Sequence, residues 1–323
     1  MEHVQCLIIG SGPAGYTAAI YAARAGLKPI LYTGMMAGGQ LTLTSDIDNF
    51  PGYPDGINGS QMMEDLKRQA ERFGTQVRFG QISSVDFSAR PHRIYVDGEH
   101  EIIADAVIVS TGASAKWLGL ESEKRYNGGG VSACAICDGF FFKGQDVAIS
   151  GGGDTAAEEA VYLAKLCRKV YMIIRKGEFR ASKAMVDRVL AMPNIEVLYN
   201  SETLEITGDG QVVTGATIIN THTGAQSLLD ISGFFVAIGH RPNTDIFKDW
   251  LAMNPAGYIL TKPGSTHTSM EGVFCCGDAQ DHVYRQAVTA AGTGCMAALD
   301  AERYLAQVEG SFANQDELPA LAL

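Results

Sequence analysis

Residues 4–26 read VQCLIIGSGPAGYTAAIYAARAG, and this stretch decides the fold of the chain. Its first part is an apolar run that predicts a buried strand, and its Ala-rich second half predicts a helix. Between the two lie Gly10, Gly12 and Gly15, in the spacing Gly-x-Gly-x-x-Gly. Glycines at such a strand-to-helix turn are typical of dinucleotide binding, because they let the backbone approach a pyrophosphate at the helix N-terminus.

The same pattern occurs a second time at residues 145–166, QDVAISGGGDTAAEEAVYLAKL. A short apolar strand again runs into a glycine turn, with Gly151, Gly153 and, in place of the third glycine, Ala156. A single match to this spacing is weak, whereas two matches in the same strand-to-helix context are specific. The chain is therefore predicted to contain two related nucleotide-binding units.

The order of the remaining segments predicts how the two units are connected. Apolar strands that run into glycine close the first copy (104–113) and the second (232–243), with β-rich insertions before them. A further strand (272–280) and helix (287–305) have no counterpart in the second copy and are predicted to complete the first domain. We therefore predict an α/β fold of two Rossmann-like dinucleotide-binding domains in three layers (ββα), the second inserted in the first. The predicted domains are residues 1–114 with 244–323, and residues 115–243.

Length and charge limit the class of protein. A chain of 323 residues is long for one core, and a net charge of -11 argues against nucleic acid or an anionic membrane as the main partner. No stretch approaches the ~18 consecutive apolar residues of a membrane span. The N-terminal residues lack the basic region and cleavage site of a signal peptide, so we expect a cytoplasmic protein. The tail, 306–323, has no clear pattern and is expected to fray or to dock weakly.

Differences between the two copies predict two different nucleotides. The usual NAD fingerprint has an Asp or Glu about 20 residues after the glycines, and neither copy has one at the end of its second strand. The first copy is followed by a long Gly-rich loop, residues 34–52, which suits a wall over FAD. The second copy supplies Arg175, Lys176 and Arg180 instead, and such cations suit the 2′-phosphate of NADPH.

A Cys-x-x-Cys pair stands just before the second glycine turn, in residues 132–141, SACAICDGFF. Zinc would need three or four ligands, but there is no second such pair and the histidines are isolated, so no metal site is predicted. A static disulfide is rare in the cytoplasm. A redox-active pair of Cys134 and Cys137 is favoured, and Asp138 is able either to protonate a departing thiolate or to cap the turn. The other cysteines are predicted to be buried core residues: Cys6, Cys167, Cys275, Cys276 and Cys295.

With these motifs assembled, the chain resembles the low-molecular-weight thioredoxin reductases, within the class II pyridine nucleotide-disulfide oxidoreductases. The resemblance covers roughly residues 3–305 and rests on the order and spacing of several motifs. These are GSGPAGYTAAIYAARA, GVSACAICDGFFF, GGGDTAAEEA, FVAIGHRPNT and YRQAVTAAGTGCMAALDAERYL. There are departures from the family pattern: Ile174-Arg175-Lys176 where His-Arg-Arg is common, and Asp154 where Asn is frequent.

The resemblance implies the residues of each cofactor site. FAD contacts would be made by Gly10, Ser11, Gly12, Pro13, Ala14, Gly15, Thr33, Gly34, Gly38, Gly39, Gln40, Leu41, Asn49, Thr111, Gly112, Gly277, Asp278, Arg285, Gln286 and Ala287. NADPH contacts would be made by Gly151, Gly153, Asp154, Thr155, Ala156, Arg175, Lys176, Arg180, Ile238 and Gly239.

The resemblance also implies the reaction. Hydride would pass from NADPH to FAD, and electrons would then pass to the Cys134–Cys137 disulfide and to oxidised thioredoxin. Cys137 would lie nearer the flavin, Cys134 would attack the protein substrate, and the chain would be a homodimer. Three alternatives remain open at this point: a flavin reductase acting on another dithiol, a thiol oxidase, and a dinucleotide sensor without turnover.

Overall fold

The computed structural model describes residues 2–44 and 46–316, and the chain has an α/β fold made of two compact units. Unit 1 comprises Met1–Ser114 and Arg241–Leu323, and unit 2 comprises Ala115–His240. Unit 2 is thus inserted in unit 1, and residues 241–243, which the sequence analysis assigns to the inserted domain, fall within unit 1. The assignment of domain boundaries and cofactors to these units stays a prediction.

The strands and helices are numbered in chain order. The strands are β1 Glu2–Ile9, β2 Ile30–Tyr32, β3 Gln76–Arg78, β4 Ile82–Asp86, β5 His92–Val96, β6 His100–Val109, β7 Ala113–Ala115, β8 Val131–Ser132, β9 Asp146–Ser150, β10 Lys169–Ile174, β11 Ile195–Tyr199, β12 Ser201–Gly208, β13 Val213–Asn220, β14 Gln226–Asp230, β15 Gly233–Val236, β16 His240–Pro242 and β17 Val273–Cys275. The helices are α1 Pro13–Arg24, α2 Gly59–Arg72, α3 Glu121–Arg125, α4 Ala135–Asp138, α5 Asp154–Leu166, α6 Lys183–Leu190 and α7 Ala287–Asp316.

The sheet of unit 1 has the order β3-β2-β1-β6-β5-β4, and β17 pairs with β6. Strands β1, β2, β3, β6 and β17 run parallel, whereas β4, β5 and β6 form an antiparallel meander. The long strand β6 belongs to both parts, since residues 100–104 pair with β5 and residues 107–109 pair with β17. The predicted β insertion of the first domain therefore continues the main sheet instead of forming one of its own.

Side chains of β1 alternate between two apolar cores, one on each face of the sheet. Cys6 and Ile8 pack with α1, α7 and Phe274, while Leu7 and Ile9 pack with β5, β6 and the segment around Phe247. A central parallel strand is buried on both faces, which is why its sequence is a continuous apolar run without polar alternation.

Unit 2 contains a parallel sheet of order β11-β10-β9-β15-β8 and a separate antiparallel sheet, β12-β13-β14. Helix α5 covers the parallel sheet with the buried alanines that its sequence predicts, among them Ala156 and Ala160. The second predicted β insertion is therefore a sheet of its own, unlike the first.

Helix α7 is longer than the sequence predicts. It runs from Ala287 to Asp316, whereas the helical pattern was expected to end at residue 305. Ala, Gln and Glu in residues 306–309 are good helix formers and no proline interrupts the helix, so it continues. Residues 317–323 of the predicted frayed tail lie outside the described part of the chain. Across the described residues, no helix is both long and apolar enough to cross a bilayer.

Small residues allow α1 and α7 to pack closely. A Cβ atom at Gly294 of α7 would overlap the carbonyl oxygen of Ala14 in α1, whereas a Cβ atom at Gly292 would meet nothing within 4 Å. The two glycines lie on the same helix, so they form a matched pair for measuring this contact.

We predict that Gly294→Ala destabilises the protein, because the added methyl group overlaps backbone that cannot move aside; such overpacking costs about 1–3 kcal/mol. Gly292→Ala should instead stabilise it by roughly 0.5–1 kcal/mol, since alanine is the better helix former. Thermal unfolding of the two variants, followed by circular dichroism, measures the difference. Equal unfolding midpoints would mean that the contact at Gly294 does not limit stability.

Candidate active site and nucleotide sites

The first glycine turn is held by two backbone contacts that exclude side chains. Gly10 has a left-handed φ of +109°, and a Cβ atom there would overlap the carbonyl oxygen of Ser110. A Cβ atom at Gly15 would overlap the carbonyl oxygen of Gly10. Gly12, the residue that caps α1, has open space where its Cβ would be. The turn therefore leaves room for a ligand at Gly12, next to the helix N-terminus.

Ser11 joins this turn to the loop that was predicted to wall the site. Its hydroxyl donates to the carbonyl oxygen of Thr33 at 3.0 Å and accepts from the N–H of Gly38 at 2.9 Å. The side chain is only 2% exposed. A Cβ atom at Gly39 would lie 3.5 Å from the Cα of Gly12. The hydroxyl of Ser11 is thus used to hold the loop against the turn.

The end of β17 meets the start of α1. A Cβ atom at Gly277 would lie 2.9 Å from the Cβ of Ala14, and the N–H of Gly277 donates to Thr293 Oγ1 at 2.9 Å. Asp278 follows in a half-buried position. Burial raises the pKa of its carboxyl to about 7, repulsion from Asp281 adds to this, and the nearby Arg285 opposes it. A carboxyl at this place can accept or donate a hydrogen bond.

Residues far apart in the sequence meet beside this carboxyl. Asn49 Nδ2 donates to Gln286 Oε1 at 3.4 Å. Arg285 has a left-handed φ of +49°, and its N–H donates to Asp281 Oδ2 at 3.0 Å. Asp281, which the sequence analysis missed, also accepts from the N–H groups of Val283 and Tyr284 at 2.9 Å. Asp favours turns because its carboxylate accepts hydrogen bonds from backbone N–H groups a few residues further on, and that preference was the signal available at Asp281.

Thr111 carries a buried polar atom without a partner. Its Oγ1 is buried and makes no hydrogen bond within the part of the chain that the structure describes. Its Cα would lie 3.1 Å from a Cβ atom at Gly10, so it borders the glycine turn. An unpaired buried hydroxyl is costly unless a ligand supplies its partner. The open space at Gly12 and this hydroxyl both fit a bound dinucleotide.

The other predicted FAD residues take these positions. Pro13 and Ala14 begin α1, Gly34 follows Thr33, Gln40 and Leu41 lie in a 3-10 turn over Gly39–Leu43, Gly112 has a left-handed φ of +69°, and Ala287 begins α7.

The second glycine turn has the same construction in unit 2. A Cβ atom at Gly151 would overlap the carbonyl oxygen of Ala237 and would lie 2.7 Å from the Cβ of Ala156. Ile238 and Gly239 follow Ala237 directly, so the closing strand reaches the turn as predicted. Gly153 caps α5, and Thr155 is exposed in its first turn.

Arg180 is brought to this turn by the backbone around it. The N–H groups of Arg180 and Ala181 donate to the carbonyl oxygen of Gly152 at 2.7 and 3.1 Å. A Cβ atom at Gly153 would lie 3.5 Å from Arg180 Nη2, so the guanidinium borders the cap of α5. Arg175 and Lys176 are exposed at the end of β10, and none of these three cations forms an ion pair with a described carboxylate.

Asp154 is turned toward the next helix. Its Oδ1 accepts from the N–H of Ser182, the residue that caps α6, at 2.9 Å. Hydrogen bonds from the backbone and side chain of Ser182 lower the pKa of the Asp154 carboxyl. Asp154 therefore ties the glycine turn to α6.

Cys134 and Cys137 are joined by a disulfide, with 5.3 Å between their Cα atoms. Cys134 caps the short helix α4, and its Sγ accepts from the N–H of Cys137 at 3.2 Å. Both residues are half-buried. A backbone donor on Cys134 Sγ favours negative charge there when the pair is reduced, which suits a thiolate nucleophile.

Asp138 lies directly after this disulfide in a largely desolvated position. Burial raises the pKa of its carboxyl, and a hydrogen bond from the side chain of Ser132 partly opposes this shift. Its N–H donates to the carbonyl oxygen of Cys134 at 3.1 Å. Ser132 is a residue of the site that the sequence analysis did not single out, and no sequence signal beyond its closeness to the pair marks it.

The remaining cysteines divide into two groups. Cys6, Cys167, Cys275 and Cys276 are buried as predicted, and burial raises the pKa of each thiol, to about 12 for Cys6 and Cys276. The prediction was wrong for Cys295, which is half-exposed on α7 beside Tyr21. Cys295 lies toward the outer side of α7, and the apolar residues around it in the sequence had suggested a buried position. No group of three metal-binding side chains occurs among the described residues.

Comparison with known proteins agrees with this geometry. The model of the pyridine nucleotide-disulphide oxidoreductase family matches residues 4–294. A thioredoxin reductase of Vibrio cholerae is 53% identical over 313 residues, covering 94% of this chain and 98% of that protein. One of Yarrowia lipolytica is 50% identical over 319 residues, covering 96% of this chain and 100% of that protein. The solved thioredoxin reductase from Giardia duodenalis superposes with a TM-score of 0.91 at 45% identity, covering 95% of this chain and 100% of that one.

These matches span both glycine turns and the cysteine pair between them, so they concern the whole arrangement and not a shared domain alone. The family implies a flavin and a nicotinamide nucleotide as cofactors. The chain therefore belongs to the pyridine nucleotide-disulphide oxidoreductases and, among them, to the thioredoxin reductase family of oxidoreductases.

Proposed function

We propose that this protein is an NADPH-dependent thioredoxin-disulfide reductase with FAD as its flavin. The observation that carries the proposal is the Cys134–Cys137 disulfide with the half-buried carboxyl of Asp138 beside it. Thiol–disulfide exchange in each turnover produces a departing thiolate, which a nearby acid can protonate, whereas a static disulfide has no use for such an acid. Relatives that match nearly the whole chain, at 53% and 50% identity, are named thioredoxin reductases.

The FAD assignment to unit 1 is supported by the open space at Gly12, the unpartnered hydroxyl of Thr111 and the half-buried carboxyl of Asp278. In this proposal the N-terminus of α1 holds the pyrophosphate, and Asp278 pairs with a ribityl hydroxyl. When bound, the flavin supplies two-electron chemistry between the nicotinamide and the disulfide.

The NADPH assignment to unit 2 is supported by the cations around the second glycine turn. Arg180 borders Gly153, and Arg175 and Lys176 lie exposed at the end of the neighbouring strand. Two guanidinium groups and an ammonium group can bind the 2′-phosphate that distinguishes NADPH from NADH. Asp154 adds little repulsion in this proposal, because its carboxylate is engaged by Ser182.

Cys134 is the proposed exchange thiol, because its Sγ receives the N–H of Cys137. The reduced Cys134 attacks the disulfide of thioredoxin, and Cys137 then attacks Cys134 to release reduced thioredoxin.

A homodimer is proposed as well, on the family resemblance and on exposed apolar side chains of α1 and α7: Tyr21, Val288, Met296 and Leu299. The cytoplasm remains the proposed location.

The deciding experiment is NADPH-driven reduction of thioredoxin, with NADH as the control. Rapid reduction with NADPH is expected. Oxygen consumption with a dithiol, without reduction of thioredoxin, would instead identify a thiol oxidase, and binding of both nucleotides without turnover would identify a sensor.

We predict that Gly12→Val weakens flavin binding while the protein still folds. The φ of −68° at Gly12 suits any residue, and the new side chain would point into open space that the pyrophosphate is proposed to fill. An overlap of about 1–3 kcal/mol corresponds to roughly 5- to 150-fold weaker binding. Absorbance of flavin released from purified protein measures its occupancy, and Gly292→Ala is the control. Full flavin occupancy in Gly12→Val would contradict the assignment.

Replacing both Arg175 and Arg180 by Ala should raise the KM for NADPH strongly and the KM for NADH little. Each lost charge-assisted hydrogen bond contributes about 1.5–3 kcal/mol, or roughly 10- to 150-fold in affinity. Arg188→Ala, an exposed cation on the neighbouring helix α6, should change neither constant. Equal use of both nucleotides by the unaltered enzyme would refute the 2′-phosphate site.

Cys134→Ser and Cys137→Ser should each abolish thioredoxin reduction, because neither variant can close the disulfide. Both should still oxidise NADPH when a small artificial acceptor takes electrons directly from the flavin. Cys137→Ser should in addition trap a mixed disulfide with thioredoxin through Cys134, which mass spectrometry detects. Cys295→Ser, at a half-exposed thiol outside the pair, is the control and should keep full activity. Full thioredoxin reduction by both variants of the pair would exclude it as the active site.

A further inference from the structure

The segment between β10 and α6, residues 175–182, carries the three cations of the proposed 2′-phosphate site. It reads RKGEFRAS, and we call it the cation segment. Its first half is fixed by the end of β11 and the residue that follows. The N–H of Asn200 donates to the carbonyl oxygen of Lys176 at 3.1 Å, and the ring of Phe179 meets the ring of Tyr199 edge-on at a centroid distance of 5.7 Å. The second half needs a separate anchor.

Three consecutive N–H groups at the second end of the cation segment are held by the glycine turn of unit 2. Arg180 and Ala181 donate to the carbonyl oxygen of Gly152 at 2.7 and 3.1 Å. Ser182 donates to Asp154 Oδ1 at 2.9 Å. A carbonyl oxygen has two lone pairs, and both are used here. The third donor therefore needs another acceptor, which the carboxylate of Asp154 supplies.

Asp154 occupies a position where a carboxylate has two opposite effects on a bound nucleotide. It is the first residue of α5, directly after Gly153, and a Cβ atom at Gly153 would lie 3.5 Å from Arg180 Nη2. Its charge repels a phosphate at this turn. Its hydrogen bond to Ser182, however, fixes the residues that carry the Arg180 guanidinium, and a charge-assisted bond of this kind is roughly twice as strong as a neutral one.

We propose that Asp154 is a positioning residue for nucleotide specificity: it anchors the cation segment through the N–H of Ser182 and so holds Arg180 where the 2′-phosphate of NADPH binds. This rests on the proposed function. A guanidinium that is already held in place loses less conformational freedom when the phosphate binds, so the anchor increases affinity for the phosphate without touching it.

The two effects of the carboxylate predict opposite results when Asp154 is removed. If Asp154 were only a negative charge near the site, its removal would strengthen the binding of a 2′-phosphate. If Asp154 anchors Arg180, its removal weakens that binding. The sign of the change in affinity therefore decides between the two.

The test is isothermal titration calorimetry of the flavin-loaded protein with adenosine 2′,5′-bisphosphate and with AMP, two ligands that differ only in the 2′-phosphate. Asp154→Ala should bind the bisphosphate roughly tenfold more weakly, which corresponds to about 1.4 kcal/mol, and should bind AMP within roughly twofold of the unaltered protein. Asp154→Asn keeps an acceptor oxygen for the N–H of Ser182, so it should retain most of the preference for the bisphosphate.

Two further variants separate the anchor from a general structural role. In an Arg180→Ala background, adding Asp154→Ala should cause no further loss of bisphosphate affinity, because no guanidinium remains to be positioned. Asp187→Ala removes an exposed carboxylate of α6 and should change neither affinity. Retained AMP binding and flavin occupancy show that each variant is folded. In steady-state kinetics, Asp154→Ala should raise the KM for NADPH and leave kcat unchanged.

Unchanged or tighter binding of the bisphosphate by Asp154→Ala would overturn the proposal, since Asp154 would then be no more than a nearby charge. An equal loss of affinity for both ligands would overturn it too, as would an equally large further loss in the Arg180→Ala background. In each of these cases the unaltered protein still prefers the bisphosphate, and the proposed NADPH site stands. Equal affinity of the unaltered protein for both ligands would instead refute that site and this proposal together.

Discussion

The structure depends on how closely other backbone segments approach the first turn of α1. The carbonyl oxygen of Gly10 occupies the place where a side chain of residue 15 would lie, and Gly294 of α7 approaches the backbone of Ala14 in the same way. Ser110, Thr111 and Gly277 complete the surroundings, so β6, β17 and α7 all meet at this turn. Open space remains beside Gly12, and this is where the pyrophosphate of the flavin is proposed to bind.

The redox pair depends on a different constraint, the burial of a carboxyl beside a disulfide. Burial raises the pKa of Asp138 and so favours its protonated form, while Ser132 limits the shift. A disulfide carries no charge, so the oxidised cysteine pair adds no electrostatic attraction that would favour the ionised form of Asp138. Desolvation of Asp138 thus favours a protonated carboxyl at the place where a thiolate is proposed to depart.

Much of this arrangement could be predicted from the sequence, because the decisive contacts are local. Gly10, Gly12 and Gly15 fix a strand-to-helix turn within six residues, and the second copy repeats it around Gly151. The spacing of Cys134 and Cys137 also predicts a pair that can close a small ring, and the structure contains that disulfide. Periodicity and glycine spacing act over short distances, so they determined the fold class, the duplication and the positions of the cysteine pair.

The rest required the tertiary structure, because it depends on segments distant in the chain. The FAD contact at Ser11 and the NADPH contact at Asp154 stay predictions. The structure adds that the hydroxyl of Ser11 joins Thr33 to Gly38 and that the carboxylate of Asp154 is directed to Ser182. No sequence pattern near Ser11 or Asp154 identifies these hydrogen-bond partners. The sequence by itself determined where the two glycine turns lie and which two cysteines pair. Only the tertiary structure decided where each hydroxyl and carboxyl points, because those directions follow from packing between elements that no local pattern encodes.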